Sequence, residues 1–118
     1  MRIAILIDRP RYDFLQNEEG LREDEQKRRT AKAIKETLSK HFQCTILEVD
    51  DTLPLRLSKE KIDFVFNLCN GIRGEGKLSQ IPAFLEFVGI PYTGSSIIGH
   101  ALASNKIYTC KIIKSLGI

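Results

Sequence analysis

The sequence predicts an α/β fold of the Rossmann-like type, with three layers and a mainly parallel sheet of about four strands. First, short aliphatic runs alternate with helical patterns along the 118 residues, a length that suits one domain. Second, strands separated by helical crossovers must run parallel in a sheet covered on both faces. Third, polar loops beginning at Asp8, Asn67 and Thr93 follow predicted strands, so they leave from the edge where such sheets bind ligands.

The first half of the chain contains two predicted strands and one long helix. Residues 2–7 are aliphatic and are followed by turn-forming residues, which indicates a buried strand, and Arg9–Gly20 is expected to be a long loop. A helix is predicted over Leu21–Phe42, with acidic residues four positions before basic ones on an exposed face. Cys44–Val49 alternates in polarity and predicts the second strand.

The second half continues the alternation. Leu53–Lys61 predicts a short helix and Asp63–Leu68 the third strand. A helical stripe then stops at Gly89, a residue typical of a helix C-terminus, and Ile90–Thr93 is expected to form a short edge strand, where proline is tolerated. Two helices complete the chain, and the residues expected to cap them are Ser95 or Ser96 for the first and Ser104 for the second.

Composition excludes several classes of function. The chain is 42% hydrophobic and 28% charged, as in ordinary globular proteins, and lacks an apolar run of about 18 residues that could span a membrane. The apolar run near the N-terminus is too short for a signal peptide, so a cytoplasmic location is expected. The net charge of +3 is dispersed, without a basic block, so nucleic-acid binding is not predicted.

Cysteine and histidine residues give no sign of a metal site. Cys44, Cys69 and Cys110 are far apart and form no C-x-x-C pattern, so neither a disulfide framework nor a zinc site is predicted, and we interpret them as small apolar residues. His41 and His100 have no carboxylate or cysteine at ligand spacing.

The most unusual segment is the glycine loop, residues 67–76, with the sequence NLCNGIRGEG. Glycines allow backbone N–H groups to converge on an anion and let a ligand approach the backbone. The same composition also fits a mobile crossover loop with permissive hinges. The order G-x-x-G-x-G differs from the dinucleotide fingerprint G-x-G-x-x-G, so NAD binding is not predicted.

Four segments of the chain together resemble the N-terminal domain of D-alanine–D-alanine ligase and its ATP-grasp relatives. In chain order they are DFVFNLCNGIRGEG, QIPAFLEFVGIPYTGSS, ALASNK and LGI. The resemblance is strong over residues 62–118 and extends to residues 1–50 in element order. It implies that residues 1–118 are a single Rossmann-like N-terminal domain of a longer ligase, without the central and C-terminal ATP-binding domains. ATP and Mg²⁺ would be bound mostly by those domains, so no cofactor is expected in this chain alone, which would be inactive.

The resemblance also suggests site residues in the glycine loop. Asn70 and Gly71 stand where the ligases usually carry His-Gly beside the amino-acid and acyl-phosphate site, which makes them the catalytic candidates. Asparagine can orient a substrate but cannot exchange a proton near neutral pH, so the substrates need not be two D-alanines. Arg73 and Glu75 could bind a carboxylate and an amine, or could be solvated loop charges.

Lys106 is the cofactor-binding candidate. It matches the lysine of a D-K pair that reaches ATP phosphates in the ligases, with Asn105 in place of the aspartate. If Ser104 caps the last helix, Lys106 lies in the first turn, where the helix dipole disfavours a cation unless an anion is near. The alternative is an ordinary surface lysine.

Three further substrate-binding candidates remain. Glu23 aligns, counting back from the helix, with a glutamate that holds the substrate ammonium in the ligases, but it could also be a solvated acid on the helix face. Tyr92 and Ser95 belong to the G-I-P-Y-T-G-S segment. Their simpler interpretations are a partly buried tyrosine with a satisfied hydroxyl and a helix cap.

Two other expectations concern partners and an alternative function. The last helix is apolar on more than one face, which predicts contact with the remaining domains or a homodimer: Ile107, Tyr108, Ile112, Ile113 and Leu116. Amino acids are the expected small-molecule partners. The alternative is a stand-alone flavodoxin-like module that binds a small anion or a protein, for which Asp8 and Asp50-Asp51 supply strand-end acids while the third strand ends in Asn67.

Overall fold

A computed structural model describes residues 1–11 and 16–118 of the chain. Its sheet contains three parallel strands, β1 (Arg2–Ile7), β2 (Gln43–Glu48) and β3 (Phe64–Asn67), in the order β2-β1-β3. The hydrophobic β1 is central, as expected for the strand with the most continuous aliphatic run. The predicted parallel Rossmann-like α/β fold is confirmed.

The predicted fourth strand is reduced to a single bridge. Val65 N–H donates to the carbonyl of Pro91 at 3.0 Å, and Thr93 N–H donates to the carbonyl of Val65 at 3.1 Å. The chain turns away directly afterwards at Gly94, which has a φ of +102°, a value that glycine adopts without a steric penalty. The described residues therefore form a sheet of three strands rather than about four.

The described part of the chain contains five helices: α1 (Glu18–Leu38), α2 (Leu53–Lys59), α3 (Lys77–Val88), α4 (Ile97–Ser104) and α5 (Lys106–Ser115). The predicted start of α1 at Leu21 was three residues late, because the side chain of Asn17 accepts from Gly20 N–H at 2.9 Å and caps the helix. The predicted end at Phe42 was four residues late. Within the described ranges, none of these helices is long and apolar enough to cross a membrane.

The helix caps near the C-terminus correct one prediction. Ser96, one of the two expected serines, caps α4 by accepting from Gly99 N–H at 3.3 Å. Ser104 is not the cap of α5 but the last residue of α4. Asn105 is extended between the two helices, and its side chain accepts from Tyr108 N–H at 3.1 Å. Lys106 is nevertheless the first residue of α5, as predicted.

Side chains on the two faces of the sheet form two separate cores. On β1, Ala4 and Leu6 pack toward α2 and α3, whereas Ile5 and Ile7 pack toward α1. The larger core includes eleven buried residues: Ala4, Leu6, Leu47, Val49, Leu53, Leu57, Ile62, Val65, Cys69, Ile81 and Leu85. Helices therefore cover both faces, and the predicted three-layer arrangement is confirmed.

The last two helices lie outside these cores. Helix α4 packs on α3 and α5 packs on α4, and neither helix contains a buried residue. Large apolar side chains are consequently exposed on them: Ile98, Leu102, Ile107, Tyr108, Ile112, Ile113 and Leu116. We call this set the α4–α5 face; large exposed apolar side chains gathered on neighbouring helices are typical of a surface that contacts another protein.

Candidate functional site

A cleft opens at the carboxyl ends of the strands. Because β1 and β3 are neighbours and parallel, the residues that follow them, Asp8 and the glycine loop, meet at one edge of the sheet. The cleft has a volume of about 640 Å³. Its lining residues are Asp8, Arg9, Arg11, Lys27, Val49, Asn70, Gly71, Ile72, Arg73 and Lys77.

The carboxylate of Asp8 connects three parts of the molecule. Its Oδ1 atom accepts from Asn70 N–H at 2.7 Å and from the thiol of Cys69 at 3.0 Å. Its Oδ2 atom accepts from Lys27 Nζ at 2.8 Å and from Asn70 Nδ2 at 3.2 Å. With 13% of its side chain exposed, Asp8 holds the glycine loop and α1 against the end of β1.

The thiol of Cys69 belongs to this network. Its Sγ also accepts from Gly71 N–H at 3.2 Å. Burial, followed by the hydrogen bond to Asp8, raises the pKa of Cys69 to about 12. The thiol is therefore protonated at neutral pH and serves as a hydrogen-bond donor rather than as a nucleophile.

Gly71 brings the loop against the start of α3. Its φ is +96°, and a Cβ atom at this position would lie 1.8 Å from the carbonyl oxygen of Lys77. Gln80 fixes the following residues, because its Oε1 accepts from Ile72 N–H at 2.9 Å and from Arg73 N–H at 3.4 Å. Its Nε2 also donates to the Arg73 carbonyl. The loop is thus held from both β1 and α3.

Comparisons with known proteins identify the fold around this cleft. No protein-family model matches the chain. A D-alanine–D-alanine ligase of Carboxydothermus hydrogenoformans is 41% identical over 91 residues, which cover 76% of this chain and 28% of that protein. The predicted resemblance to the D-alanine–D-alanine ligases is confirmed.

Solved structures support the same resemblance at the level of the fold. All of this chain matches the crystal structure of the D-alanine–D-alanine ligase of Bacillus anthracis, with a TM-score of 0.72 and 22% identity, over 35% of that chain. The same enzyme complexed with ATP matches with a TM-score of 0.66 and 21% identity, over 37% of that chain. The chain therefore spans about a third of the length of the ligases that it matches.

The cleft brings together three of the predicted site residues. Asn70, Gly71 and Arg73 all line it. Glu23 is connected to it indirectly, since its Oε2 pairs with Nη1 of the lining residue Arg11 at 3.1 Å. The roles assigned to these residues stay predictions.

The other four candidates lie elsewhere in the ligase-like domain, outside the set of residues that line the cleft. Glu75 and Ser95 are exposed. The hydroxyl of Tyr92 donates to Glu86 at 2.8 Å, and loss of solvent contact, together with this neighbouring carboxylate, raises the pKa of Tyr92. Lys106 is exposed at the first turn of α5, which packs on α4.

Sequence reasoning missed two residues that organise the cleft. The position of Asp8 gives a usable signal, since an acid directly after a central strand lies at the ligand-binding edge, but the sequence assigns it only to the strand-end acids of the alternative module. The position of Lys27 gives no such signal, because it stands four residues after Glu23 and this spacing predicts a pair between the two on an exposed helix face. In the structure Lys27 binds Asp8, and Glu23 binds Arg11.

The described residues offer no cluster of the ligands that a magnesium site needs. Across residues 1–11 and 16–118, no group of three or more His, Cys, Asp and Glu side chains is placed to hold a metal ion. These residues therefore do not fit a bound Mg²⁺ by themselves.

Proposed function

We propose that residues 1–118 are the substrate-side, N-terminal domain of an ATP-dependent carboxylate–amine ligase that works in the cytoplasm. The observation that carries this proposal is the 41% identity to a D-alanine–D-alanine ligase over 91 residues, in a chain that spans 28% of that enzyme. Central and C-terminal domains outside this chain would then hold most of the nucleotide. The three free cysteines of the described residues suit a reducing compartment.

The proposed reaction has two steps. A substrate carboxylate is first phosphorylated to an acyl phosphate; when bound, ATP supplies this phosphoryl group. The nitrogen of a second amino acid then attacks the acyl carbon, a C–N bond forms, the C–O bond to phosphate breaks, and the amine loses a proton. The contribution of this domain would be to position the reacting groups and to stabilise negative charge.

Asn70 is the loop residue with the clearest positioning role. Its Nδ2 already donates to Asp8 at 3.2 Å, so its Oδ1 is the side-chain atom it offers to a substrate ammonium or N–H group. Lys106 would contact a phosphate at the start of α5, whose first turn contains no acid. Glu23, Glu75, Tyr92 and Ser95 are proposed as secondary substrate contacts.

Phosphate release tests this function. We expect the protein expressed from its natural reading frame to release phosphate from ATP only when suitable amino acids are added. In that protein Asn70→Ala should lower kcat/KM by about tenfold to a hundredfold, because a positioning hydrogen bond is lost. Lys40→Gln is the matched control, since Lys40 is exposed beyond the end of α1, at the opposite edge of the sheet.

Two results would contradict the proposal. One is a full-length protein that releases no phosphate with any amino acid in a broad panel. The other is a large increase in the melting temperature of the 118-residue chain on adding nucleotide, because most nucleotide contacts are proposed to lie in other domains.

The α4–α5 face supports the proposal that this domain contacts another protein surface, either the remaining domains or a second copy. We expect the 118-residue chain to dimerise at high concentration, because removing these exposed apolar side chains from water is favourable. Gel filtration with light scattering over a concentration series measures this. Ile112→Lys should shift the chain toward monomer, and a strict monomer at the highest concentration would oppose the prediction.

The alternative function, a stand-alone flavodoxin-like module that binds a small anion or a protein, is less well supported. A phosphoacceptor aspartate must present a carboxylate oxygen to its phosphodonor, whereas both oxygens of Asp8 accept hydrogen bonds from Lys27, Cys69 and Asn70.

A further inference from the structure

The cleft carries an excess of positive charge, which favours a ligand with a negatively charged group over one with an uncharged side chain. Five of its lining residues are cationic and one is acidic. The cations are Arg9, Arg11, Lys27, Arg73 and Lys77. Such a concentration of one sign raises the local concentration of anions.

Two of these cations are already engaged by carboxylates. Lys27 pairs with Asp8 at 2.8 Å, and Arg11 pairs with Glu23 at 3.1 Å. Arg73 and Lys77, by contrast, form no ion pair with any residue in the described ranges. Their charges are the ones available to a ligand.

Arg73 is held in place before any ligand arrives. The side chain of Gln80 bonds both the N–H and the carbonyl of Arg73, so the backbone of this residue is fixed to α3. Lys77 is the first residue of the same helix, where the helix dipole disfavours a cation and no acid stands in the first turn. An anion bound by these two side chains would pair with the guanidinium of Arg73, whose backbone is already fixed, and would offset the unfavourable position of Lys77.

A second, more apolar pocket of about 290 Å³ adjoins the cleft. The two share Val49, Ile72 and Arg73. Asp50, which pairs with Arg56 at 3.2 Å, and the exposed Asp51 also line the second pocket, so this pocket is less favourable to an anion than the cationic cleft. A ligand with a short aliphatic stem and a terminal carboxylate can therefore place the stem against Val49 and Ile72 and the carboxylate on the cleft side of Arg73.

We propose that this cleft binds an amino acid with an acidic side chain, whose terminal carboxylate is recognised by Arg73 and Lys77. The inference rests on the proposed ligase function for the presence of an amino acid in the cleft. It identifies the substrate class as dicarboxylic. A phosphate group has similar chemistry, so the experiment must separate the two sources of negative charge.

Amide NMR titration of the 118-residue chain with D-glutamate, D-alanine and inorganic phosphate tests the proposal. We expect D-glutamate to bind with a Kd at least about tenfold lower than that of D-alanine or phosphate, as one charge-assisted contact would give. The perturbed amides should include those of Gly71, Ile72 and Arg73. Arg73→Gln should abolish the preference for D-glutamate, and Lys40→Gln should preserve it.

Lys77→Gln provides a second variant should Arg73→Gln fail to fold, and it should reduce the preference severalfold. Equal Kd values for D-glutamate and D-alanine would overturn the dicarboxylic assignment. The dicarboxylic assignment would also be overturned if phosphate bound as tightly as D-glutamate and perturbed the same amides. In that case the two cations would be assigned to recognition of a phosphoryl group. Neither result would affect amino-acid-dependent phosphate release by the full-length protein. The absence of that phosphate release would instead overturn the proposed ligase function.

Discussion

Replacing Gly71 with alanine is expected to lower the free energy of unfolding by about 3 kcal/mol or more. The added Cβ would lie 1.8 Å from the Lys77 carbonyl oxygen, a backbone atom that cannot move without displacing the start of α3. The φ of +96° adds strain for any residue with a side chain. Urea unfolding monitored by circular dichroism measures the effect.

Two neighbouring glycines provide matched controls in the same loop. Gly74 has a φ of +92°, but a Cβ there would meet only the end of Gln80, at 4.0 Å. Gly74→Ala should therefore cost about 1 kcal/mol, from the backbone conformation alone. Gly76 has a φ of −90° and nothing within 4 Å of an added Cβ, so Gly76→Ala should be close to neutral. Equal losses of stability in all three variants would contradict the close approach at Gly71.

Removing the carboxylate of Asp8 is expected to release the glycine loop. Asp8→Ala leaves Lys27 Nζ, Asn70 N–H and the Cys69 thiol without their acceptor in a largely buried position, which should lower the unfolding free energy by about 2–3 kcal/mol. The loosened loop should also expose Cys69. Its labelling by iodoacetamide at pH 8, followed by mass spectrometry, is expected to become at least about tenfold faster.

Asp51→Ala is the matched control for this prediction. Asp51 is exposed at the same edge of the sheet, after β2, and its replacement should change stability by less than about 0.5 kcal/mol. Cys110 is exposed and gives an internal reference for the reagent in every variant. Unchanged Cys69 labelling in Asp8→Ala would show that α3 and Gln80 alone hold the loop, contrary to the role assigned to Asp8.

Local sequence features predicted most of the secondary structure. The aliphatic run at residues 2–7 became the central strand, and the helix that was expected to stop at Gly89 does so, with Gly89 in the left-handed conformation at a φ of 77°. The predicted cap of α5 was wrong because two neighbouring residues are equally suitable as helix caps. Ser104 and Asn105 are both good helix caps, and only the path between α4 and α5 selects Asn105.

The site was less predictable than the elements that form it. The sequence identified the glycine loop with Arg73 and, through the family resemblance, Asn70 and Gly71, and these three residues do line one cleft. It did not identify Lys27 as the partner of Asp8, because an acid four residues away on the same helix was an equally good partner on local grounds. Nor did it predict that the fourth strand would shrink to one bridge, since strand pairing depends on residues distant in sequence.

The amino-acid sequence alone was enough to predict the alternation of strands and helices, the parallel sheet with two covered faces, and the segment that needs glycine. These follow from periodicity and backbone preferences, which act over a few residues. Two features became visible only in the folded chain. Strand β1 lies beside β3, so that Asp8 binds Asn70, 62 positions away, and Arg73 and Lys77 line a common cleft. The reason is physical: packing of the two cores selects the strand order, and the strand order selects which charges meet.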